Sequence, residues 1–199
     1  MATLSTKTKL LNAALGTIRA KGYSATSVDD LCREAGVTKG AFFHHFKTKE
    51  DLGVEAANYW SETTSSFFAK APYQTISDPF ERLLGYIDFR KEILQGTLPE
   101  FTCFVGTMVQ EAFESHPALR EACGQSIRAH AESLEPMIEA AMQSRRLNPD
   151  WTARSLALHT QAVIQGAFIL AKANNNADLA AESITHLRRY LVLLFKPKL

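Results

Sequence analysis

The sequence predicts an all-α protein of about nine helices, with an N-terminal three-helix domain followed by a C-terminal helical bundle. Apolar residues recur at the three-to-four-residue spacing of helices along nearly the whole chain. Residues that typically start and stop helices divide these stretches. No segment shows the strict apolar–polar alternation of a half-buried strand. Of the 199 residues, 46% are hydrophobic and 22% are charged, which is typical of a folded globular chain.

The first three predicted helices are short and closely spaced. The first ends at Gly22, because glycine favours the backbone conformation that follows a helix. Ser27 and Asp30 form a capping box that opens the second, which ends at Gly36. The third begins at Thr38. The apolar face of the first helix consists of Leu10, Leu11, Ala14, Leu15 and Ile18.

Six further helices are expected after residue 48. A second capping box, Thr48–Asp51, opens a long helix that ends near Lys70. Pro136 is expected to interrupt or kink a later helix, and Asn174–Asn176 separates the last helix from the one before it. Polar caps followed by proline, or proline alone, mark the other four starts. These starts are Asp78-Pro79, Pro99, His116-Pro117 and Asn148-Pro149.

Several classes of protein are not expected. The three cysteines, Cys32, Cys103 and Cys123, are too few and too scattered for a disulfide framework or a zinc site, so we expect no metal and no cofactor. Motifs of enzymes such as HExxH or a phosphate-binding loop are missing, so we expect no enzyme. The most apolar stretch, residues 162–173, is too short to span a bilayer. No signal peptide is visible, which predicts a cytoplasmic protein with no membrane partner.

Charge is distributed unevenly along the chain. The net charge is only +1, yet residues 1–50 carry eight basic and four acidic side chains. Residues 51–199 carry 14 basic and 17 acidic side chains. A basic end on a weakly acidic body favours an anionic partner for that end.

Residues 26–46 have the spacing of a helix-turn-helix. Gly36 permits the left-handed conformation that the turn needs. The second helix of the pair would then be free to enter a major groove of DNA. The alternative is a helical hairpin with a solvated basic rim. The apolar residues expected to lock the two helices together are Leu31, Ala35, Val37 and Phe42.

The residue types in this segment suit DNA recognition. Lys39 can donate to guanine O6 or N7, and Gly40 and Ala41 allow close approach of the backbone. Hydroxyl, imidazole and ammonium groups can donate to phosphates. The candidate DNA-binding residues are Thr26, Ser27, Thr38, Lys39, Gly40, Ala41, Phe43, His44, His45, Lys47 and Lys49.

The pattern from Thr26 to Leu52, including Ala-Gly-Val-x-Lys-Gly-x-Phe, resembles the DNA-binding domain of the TetR family of bacterial repressors. The resemblance covers roughly residues 6–54. It implies a helix-turn-helix domain over residues 1–48 and a ligand-binding and dimerisation domain over 49–199. It further implies a homodimer that binds a palindromic operator and releases it when a small molecule binds. Many family members have a tyrosine that contacts a phosphate where this chain has Phe43, which cannot make that bond.

By the same resemblance, the aromatic-rich region 59–113 would wall an effector cavity, although core packing is the alternative for most of its rings. Polar residues on apolar helices are further candidates, since a buried polar group needs a partner. For these, a dimer interface or structural bonding is the alternative. No charged cluster marks the region, so a neutral or weakly polar effector is expected. The candidates are Trp60, Phe67, Tyr86, Phe89, Cys103, Phe104, Met108, His130, Gln161 and Gln165.

Cys103 raises a second hypothesis. It begins a predicted helix, and helix N-termini favour the reactive thiolate form of cysteine. The stretch is similar to the Gly-Cys-Leu segment of an electrophile-sensing branch of the TetR family, with Thr102 in place of the glycine. The alternative function is therefore a thiol-based redox or electrophile sensor triggered at Cys103. In either case dimerisation is expected through the last two helices, where Ala162, Gly166 and Ala173 allow close helix approach.

Overall fold

A computed structural model of the chain describes residues 4–196. Ten α-helices and one 3₁₀ turn, Pro72–Thr75, cover most of this range, and no strand occurs within it. None of the described helices is both long and apolar enough to cross a membrane. The helices are α1 (Thr6–Lys21), α2 (Val28–Ala35), α3 (Lys39–His45), α4 (Lys49–Ala69), α5 (Pro79–Glu92), α6 (Leu98–Phe101), α7 (Phe104–Ala112), α8 (Pro117–Ser144), α9 (Ala153–Asn174) and α10 (Asp178–Leu194).

The all-α prediction is confirmed, but the predicted number of helices is one too low. The single helix expected from Pro99 to Ser115 is broken at Thr102 and Cys103 into α6 and α7. Cys103 has an extended backbone, and its Sγ accepts a hydrogen bond from the N–H of Gly106 at 3.4 Å. Cys103 therefore caps a new helix where the sequence pattern suggested a continuous one.

The start of α9 and the effect of Pro136 on α8 also differ from what the sequence suggested. The helix predicted to start at Asn148-Pro149 begins at Ala153, because Thr152 and Ser155 form a reciprocal capping box. That box satisfies two backbone N–H donors, those of Thr152 and Ser155, which a lone asparagine cap does not. Pro136 does not end its helix, since α8 continues from Pro117 to Ser144.

The described chain forms two compact units. The first runs to Thr64 and includes Thr102–Ile127, and the second contains Ser65–Phe101 and the chain from Arg128 onward. Helices α4 and α8 each contribute residues to both units. The domain boundary expected at residue 48 stays a prediction.

The first unit has a core built from α1–α4, α7 and the start of α8. Leu31 of α2 and Phe42 of α3 have no exposed surface, and Ala35 and Val37 pack against the same cluster. The predicted lock between the two short helices is thus confirmed. Burial of these apolar groups fixes the orientation of α3 on α2.

The second unit is held by packing of α10 against α9 and α5. Ile184, Leu187 and Leu191 of α10 are buried on one face, as the apolar pattern predicted. The ring of Phe80 on α5 stacks on Phe195 with centroids 5.0 Å apart.

A matched pair of glycine substitutions tests the turn of the helix-turn-helix. Gly36 has φ +64°, whereas Gly16 is inside α1, and a Cβ at either position would meet no atom within 4 Å. Gly36→Ala should lower the free energy of unfolding by about 1–2 kcal/mol, because L-residues are strained in the left-handed region. Gly16→Ala should raise it by up to about 1 kcal/mol, because alanine favours helix. Urea unfolding measures both, and a Gly36→Ala protein as stable as the parent would contradict this account of the turn.

Candidate nucleic-acid interface and effector site

Helix α3 is positioned by a short, well-capped turn. Gly36 adopts the left-handed conformation after α2, with φ 64° and ψ 40°. Two residues later, the Thr38 hydroxyl accepts a hydrogen bond from the N–H of Ala41 at 3.2 Å, which caps α3. Phe42 is directed into the core of the first unit, so the opposite face of α3 is exposed.

The exposed face of α3 contains five of the eleven predicted DNA-binding residues. Phe43 is 54% exposed, and the centroid of its ring lies 5.2 Å from that of Phe42 in an edge-to-face contact. A Cβ on Gly40 would meet only the Thr38 hydroxyl, at 3.8 Å, so packing inside the protein does not require a glycine there. Ala41 is partly buried. The exposed candidates are Ser27, Thr38, Lys39, Gly40, Phe43, His44, His45 and Lys47.

Lys39 forms an ion pair across the two helices. Its Nζ lies 2.8 Å from Oδ1 of Asp29, and both side chains are more than half exposed. This hydrogen bond raises the pKa of Lys39, so the ammonium stays protonated. Exposed ion pairs contribute little to stability, so separating Lys39 from Asp29 costs little free energy.

Two predicted phosphate donors are instead used inside the domain. Thr26 is only 1% exposed, and its hydroxyl donates to the carbonyl of Gly22 at 2.6 Å. Lys49 donates from Nζ to the carbonyls of Tyr23 and Thr26, each at 3.0 Å. The Lys49 ammonium also lies 4.2 Å from the centroid of the Tyr23 ring. In this structure both side chains brace the loop between α1 and α2 and do not reach out to solvent as the sequence suggested.

The same loop is held from its other side by Glu111, which the sequence did not suggest. The Glu111 carboxylate on α7 accepts hydrogen bonds from the N–H groups of Tyr23, at 3.1 Å, and Ser24, at 2.9 Å. A side chain on Gly22, whose φ is +90°, would collide with this carboxylate. No local signal could have revealed the contact, because the partners are far apart in sequence.

Four of the predicted effector residues belong to the first unit. Phe104 and Met108 have no exposed surface and lie in its core cluster. The Trp60 ring packs 6.2 Å from the ring of Phe104 and lies beneath the guanidinium of Arg19, 5.3 Å away. Cys103 is partly buried at the start of α7.

The other candidates lie in the second unit, where three of them form a chain of hydrogen bonds. Gln161 donates from Nε2 to the hydroxyl of Tyr86 at 3.4 Å. That hydroxyl is also hydrogen-bonded to Nε2 of His130, at 3.0 Å. Burial, followed by the charge of Arg90, lowers the pKa of His130 to about 3, so the imidazole is neutral at pH 7.

Aromatic rings enclose this polar chain. Phe68 lies 5.9 Å from Tyr86 and 4.9 Å from His130, measured between ring centroids. Phe89 packs against Phe68 at 5.8 Å. Phe67 is half exposed at the edge of this group. Gln165 lies one turn after Gln161 on α9 and is partly buried.

Arg90 is a charged member of this group that sequence reasoning missed. Its guanidinium lies 5.2 Å from the ring centroid of Phe68 and 5.8 Å from that of Phe168. No charged cluster was expected in this region, and this single guanidinium was overlooked. Its position four residues after Tyr86 places both on one face of α5, and that spacing was the signal that could have found it.

Two protein-family descriptions match the sequence. "Bacterial regulatory proteins, tetR family" matches residues 10–56, and "Tetracyclin repressor-like, C-terminal domain" matches residues 79–187. The chain belongs to the TetR family. Members of this family are helix-turn-helix transcriptional regulators that bind DNA and are not enzymes. The resemblance seen in the sequence from Thr26 to Leu52 is confirmed.

Two curated transcriptional regulators are similar in sequence to this chain over most of its length. LmrA of Bacillus subtilis is 27% identical over 179 residues, which cover 85% of this chain and 87% of LmrA. AcrR of Shigella flexneri is 30% identical over 172 residues, covering 81% and 75% of the two chains.

Solved TetR-family structures share the fold. A regulator from Agrobacterium tumefaciens superposes with a TM-score of 0.82 at 22% identity, covering 93% of this chain and 96% of that one. FadR of Bacillus subtilis, solved in complex with stearoyl-CoA, gives a TM-score of 0.72 at 20% identity, covering 93% and 97%.

The depressed pKa of His130 predicts a pH-dependent stability. A histidine in the unfolded chain titrates near pH 6.5, whereas His130 in the folded chain has a pKa of about 3. Between these values the unfolded chain binds a proton that the folded chain does not. The free energy of unfolding should therefore be highest above pH 6.5 and should fall as the pH decreases toward 3.

His130→Gln removes the titrating group, so its stability should fall less between about pH 7 and pH 4.5. Urea unfolding across this range measures the difference. His159→Gln, at an exposed position on α9, is the control and should behave as the parent protein does. An identical pH dependence in His130→Gln and the parent would refute the assignment.

Proposed function

We propose that this TetR-family regulator is a repressor that binds a palindromic operator as a homodimer through α3 and is released by a small organic effector. The observation that carries the proposal is the exposed face of α3, which presents Lys39, Gly40 and Phe43 to solvent.

The DNA-binding surface combines base-reading and phosphate-binding groups. Lys39 supplies a donor for a guanine edge, and Gly40 leaves room for the duplex to approach the backbone. Phe43 is suited to contact with a thymine methyl group, in place of the phosphate contact of a tyrosine. Thr26 and Lys49 act as positioning residues because their polar groups hold the loop before α2.

The dimer interface is proposed on α9 and α10. A stripe of apolar and small residues follows one face of α9 at spacings of three and four residues, and all of them but the partly buried Gly166 are exposed. It consists of Leu158, Ala162, Gly166, Ile169 and Ala173. Tyr190 and Leu193 are exposed on α10. An exposed apolar face of this kind is typical of a surface that a second subunit covers, and small residues within it allow close packing of helices.

The effector is proposed to bind among the aromatic residues of the second unit. Tyr86, His130 and Gln161 provide a few fixed polar groups inside an apolar surround, which is the usual composition of a small-molecule site. FadR, which shares this fold, was solved with stearoyl-CoA bound. An effector that binds more tightly to a conformation with displaced α3 helices would release the operator by shifting the population.

The second candidate function is a thiol-based sensor, and one observation favours it. Cys103 caps α7 with its Sγ, and the last turn of the same helix contains Glu111, which holds the loop before α2. Modification of the thiol would remove that cap and disturb α7. Cys123, by contrast, is buried with a pKa raised to about 12 by that burial, so it stays an unreactive thiol.

A gel shift with the DNA flanking its own gene tests the proposed function. The parent and Cys103→Ser proteins are compared with hydrophobic compounds, a quinone and an oxidant. Release of both proteins by an unreactive compound supports the reversible effector. Release only by quinone or oxidant, reversed by thiol and lost in Cys103→Ser, supports the sensor instead. Absence of a shift at low salt would contradict both.

Removing the Lys39 ammonium should lower both the affinity and the sequence specificity of operator binding. Lys39→Ala is expected to cost about 1–3 kcal/mol in operator binding and to relax the preference at one base pair. Fluorescence anisotropy with operator and point-substituted DNA measures both effects. Lys70→Ala removes the same charge from an exposed site outside the first unit and should leave binding unchanged. Unaltered affinity in Lys39→Ala would show that α3 is not oriented toward the bases as proposed.

A charge placed in the α9 stripe should prevent dimerisation. Ile169→Glu is expected to shift the protein toward a monomer, because the carboxylate would be buried without a partner. Sedimentation velocity measures the mass. Phe113→Glu makes a similar change at an exposed residue of the first unit and should leave the dimer intact. A dimeric Ile169→Glu protein would place the interface elsewhere.

A further inference from the structure

Arg90 is a cation whose bonding is incomplete. Its Nε is buried and, within the described part of the chain, has no hydrogen-bond partner. No ion pair to a carboxylate is found for it among the described residues. The nearby acid on α5, Asp88, is paired with Arg188 of α10 at 2.8 Å. The residue as a whole is partly buried. Buried polar atoms in proteins are usually hydrogen-bonded, so an arginine Nε left in this state needs an explanation.

The aromatic contacts of Arg90 satisfy only part of its chemistry. The faces of Phe68 and Phe168 attract the positive charge. A guanidinium also has five N–H donors arranged in a planar fork, which aromatic faces do not satisfy as oxygen acceptors do. The fork matches the two oxygens of a carboxylate.

The polar groups around Arg90 are neutral and supply no anion. His130 is an uncharged imidazole, and burial raises the pKa of Tyr73 to about 12, so its phenol stays protonated at neutral pH. Tyr86 is fully buried and engaged with His130 and Gln161. The positive charge of Arg90 acts on these side chains without a compensating negative charge among them.

We propose that Arg90 is the anion-recognising residue of the effector site and that the effector is a small organic acid with an aromatic or acyl body. Its carboxylate binds the guanidinium, and its apolar body packs among the rings of Phe68, Phe89 and Phe168. The inference rests on the proposed function and narrows it, since it names the chemical class of the effector. It replaces the neutral effector that the sequence suggested.

Binding of acids and their neutral amides to the full chain tests the inference. Two pairs of probes are used, each an acid and its amide: 2-naphthoate with 2-naphthamide, and octanoate with octanamide. Isothermal titration calorimetry measures their binding. At least one acid should bind about tenfold or more tightly than its amide. Arg90→Gln should weaken binding of that acid by about tenfold or more and abolish the preference over the amide. Arg154→Gln, an exposed arginine on α9, loses the same charge and should bind as the parent does.

Three results would overturn the inference. The first is that neither acid binds at about 10 mM. The second is that acid and amide bind equally tightly, and the third is that Arg90→Gln binds the acid as tightly as the parent protein does. Circular dichroism checks the fold of the variant. If Arg90→Gln does not fold, Arg90→Lys keeps the charge but loses the fork, and it too should bind the acid more weakly. Unchanged affinity in Arg90→Lys would then contradict recognition by the guanidinium fork.

The operator gel shift is run on the same proteins, so the two proposals fail separately. A protein that binds operator DNA but shows no acid preference contradicts the inference and leaves the proposed function standing. An Arg90-dependent acid site in a protein that does not bind DNA supports the site and contradicts the proposed function. Arg90-dependent binding that also releases DNA supports both.

Discussion

The loop between α1 and α2 depends on one carboxylate. Glu111 on α7 accepts the N–H groups of Tyr23 and Ser24, and Lys49 binds carbonyls of the same loop from the start of α4. Backbone groups that would otherwise need water are thereby satisfied by side chains from two helices. The direction in which the chain enters α2 follows from these bonds, and α3 follows from α2 through Gly36.

This arrangement gives the first unit a physical connection between α7 and α3. Glu111 lies in the last turn of α7, and Cys103 caps its beginning. The carboxylate requires the absence of a side chain at Gly22, so the contact leaves little tolerance for displacement. A ligand or modification that prefers a displaced α7 would therefore favour a different orientation of α2 and α3, which is the usual basis of coupling between two sites.

Local features of the fold were predictable from sequence, and tertiary ones were not. The capping boxes at Ser27 and Thr48 are present because both partners lie within one turn. The start expected at Asn148 was wrong because a better box lies four residues later, at Thr152. The exposure of Lys39, Gly40 and Phe43 on α3 followed from the helix-turn-helix spacing. The contacts of Glu111 and Arg90 were not predictable, because their partners are distant in sequence and are brought near only by the fold. The charge of Lys49 suggested a phosphate contact, whereas in the fold its ammonium donates to the backbone carbonyls of Tyr23 and Thr26.

In the proposed complex, two copies of α3 bind one operator. Hydroxyl-radical footprinting of the protein on the DNA flanking its gene tests this directly. We expect two protected half-sites related by a two-fold axis, with centres about one helical turn, roughly 34–36 Å, or a multiple of it apart. A single asymmetric protected segment, or uniform protection without a dyad, would contradict the proposed complex.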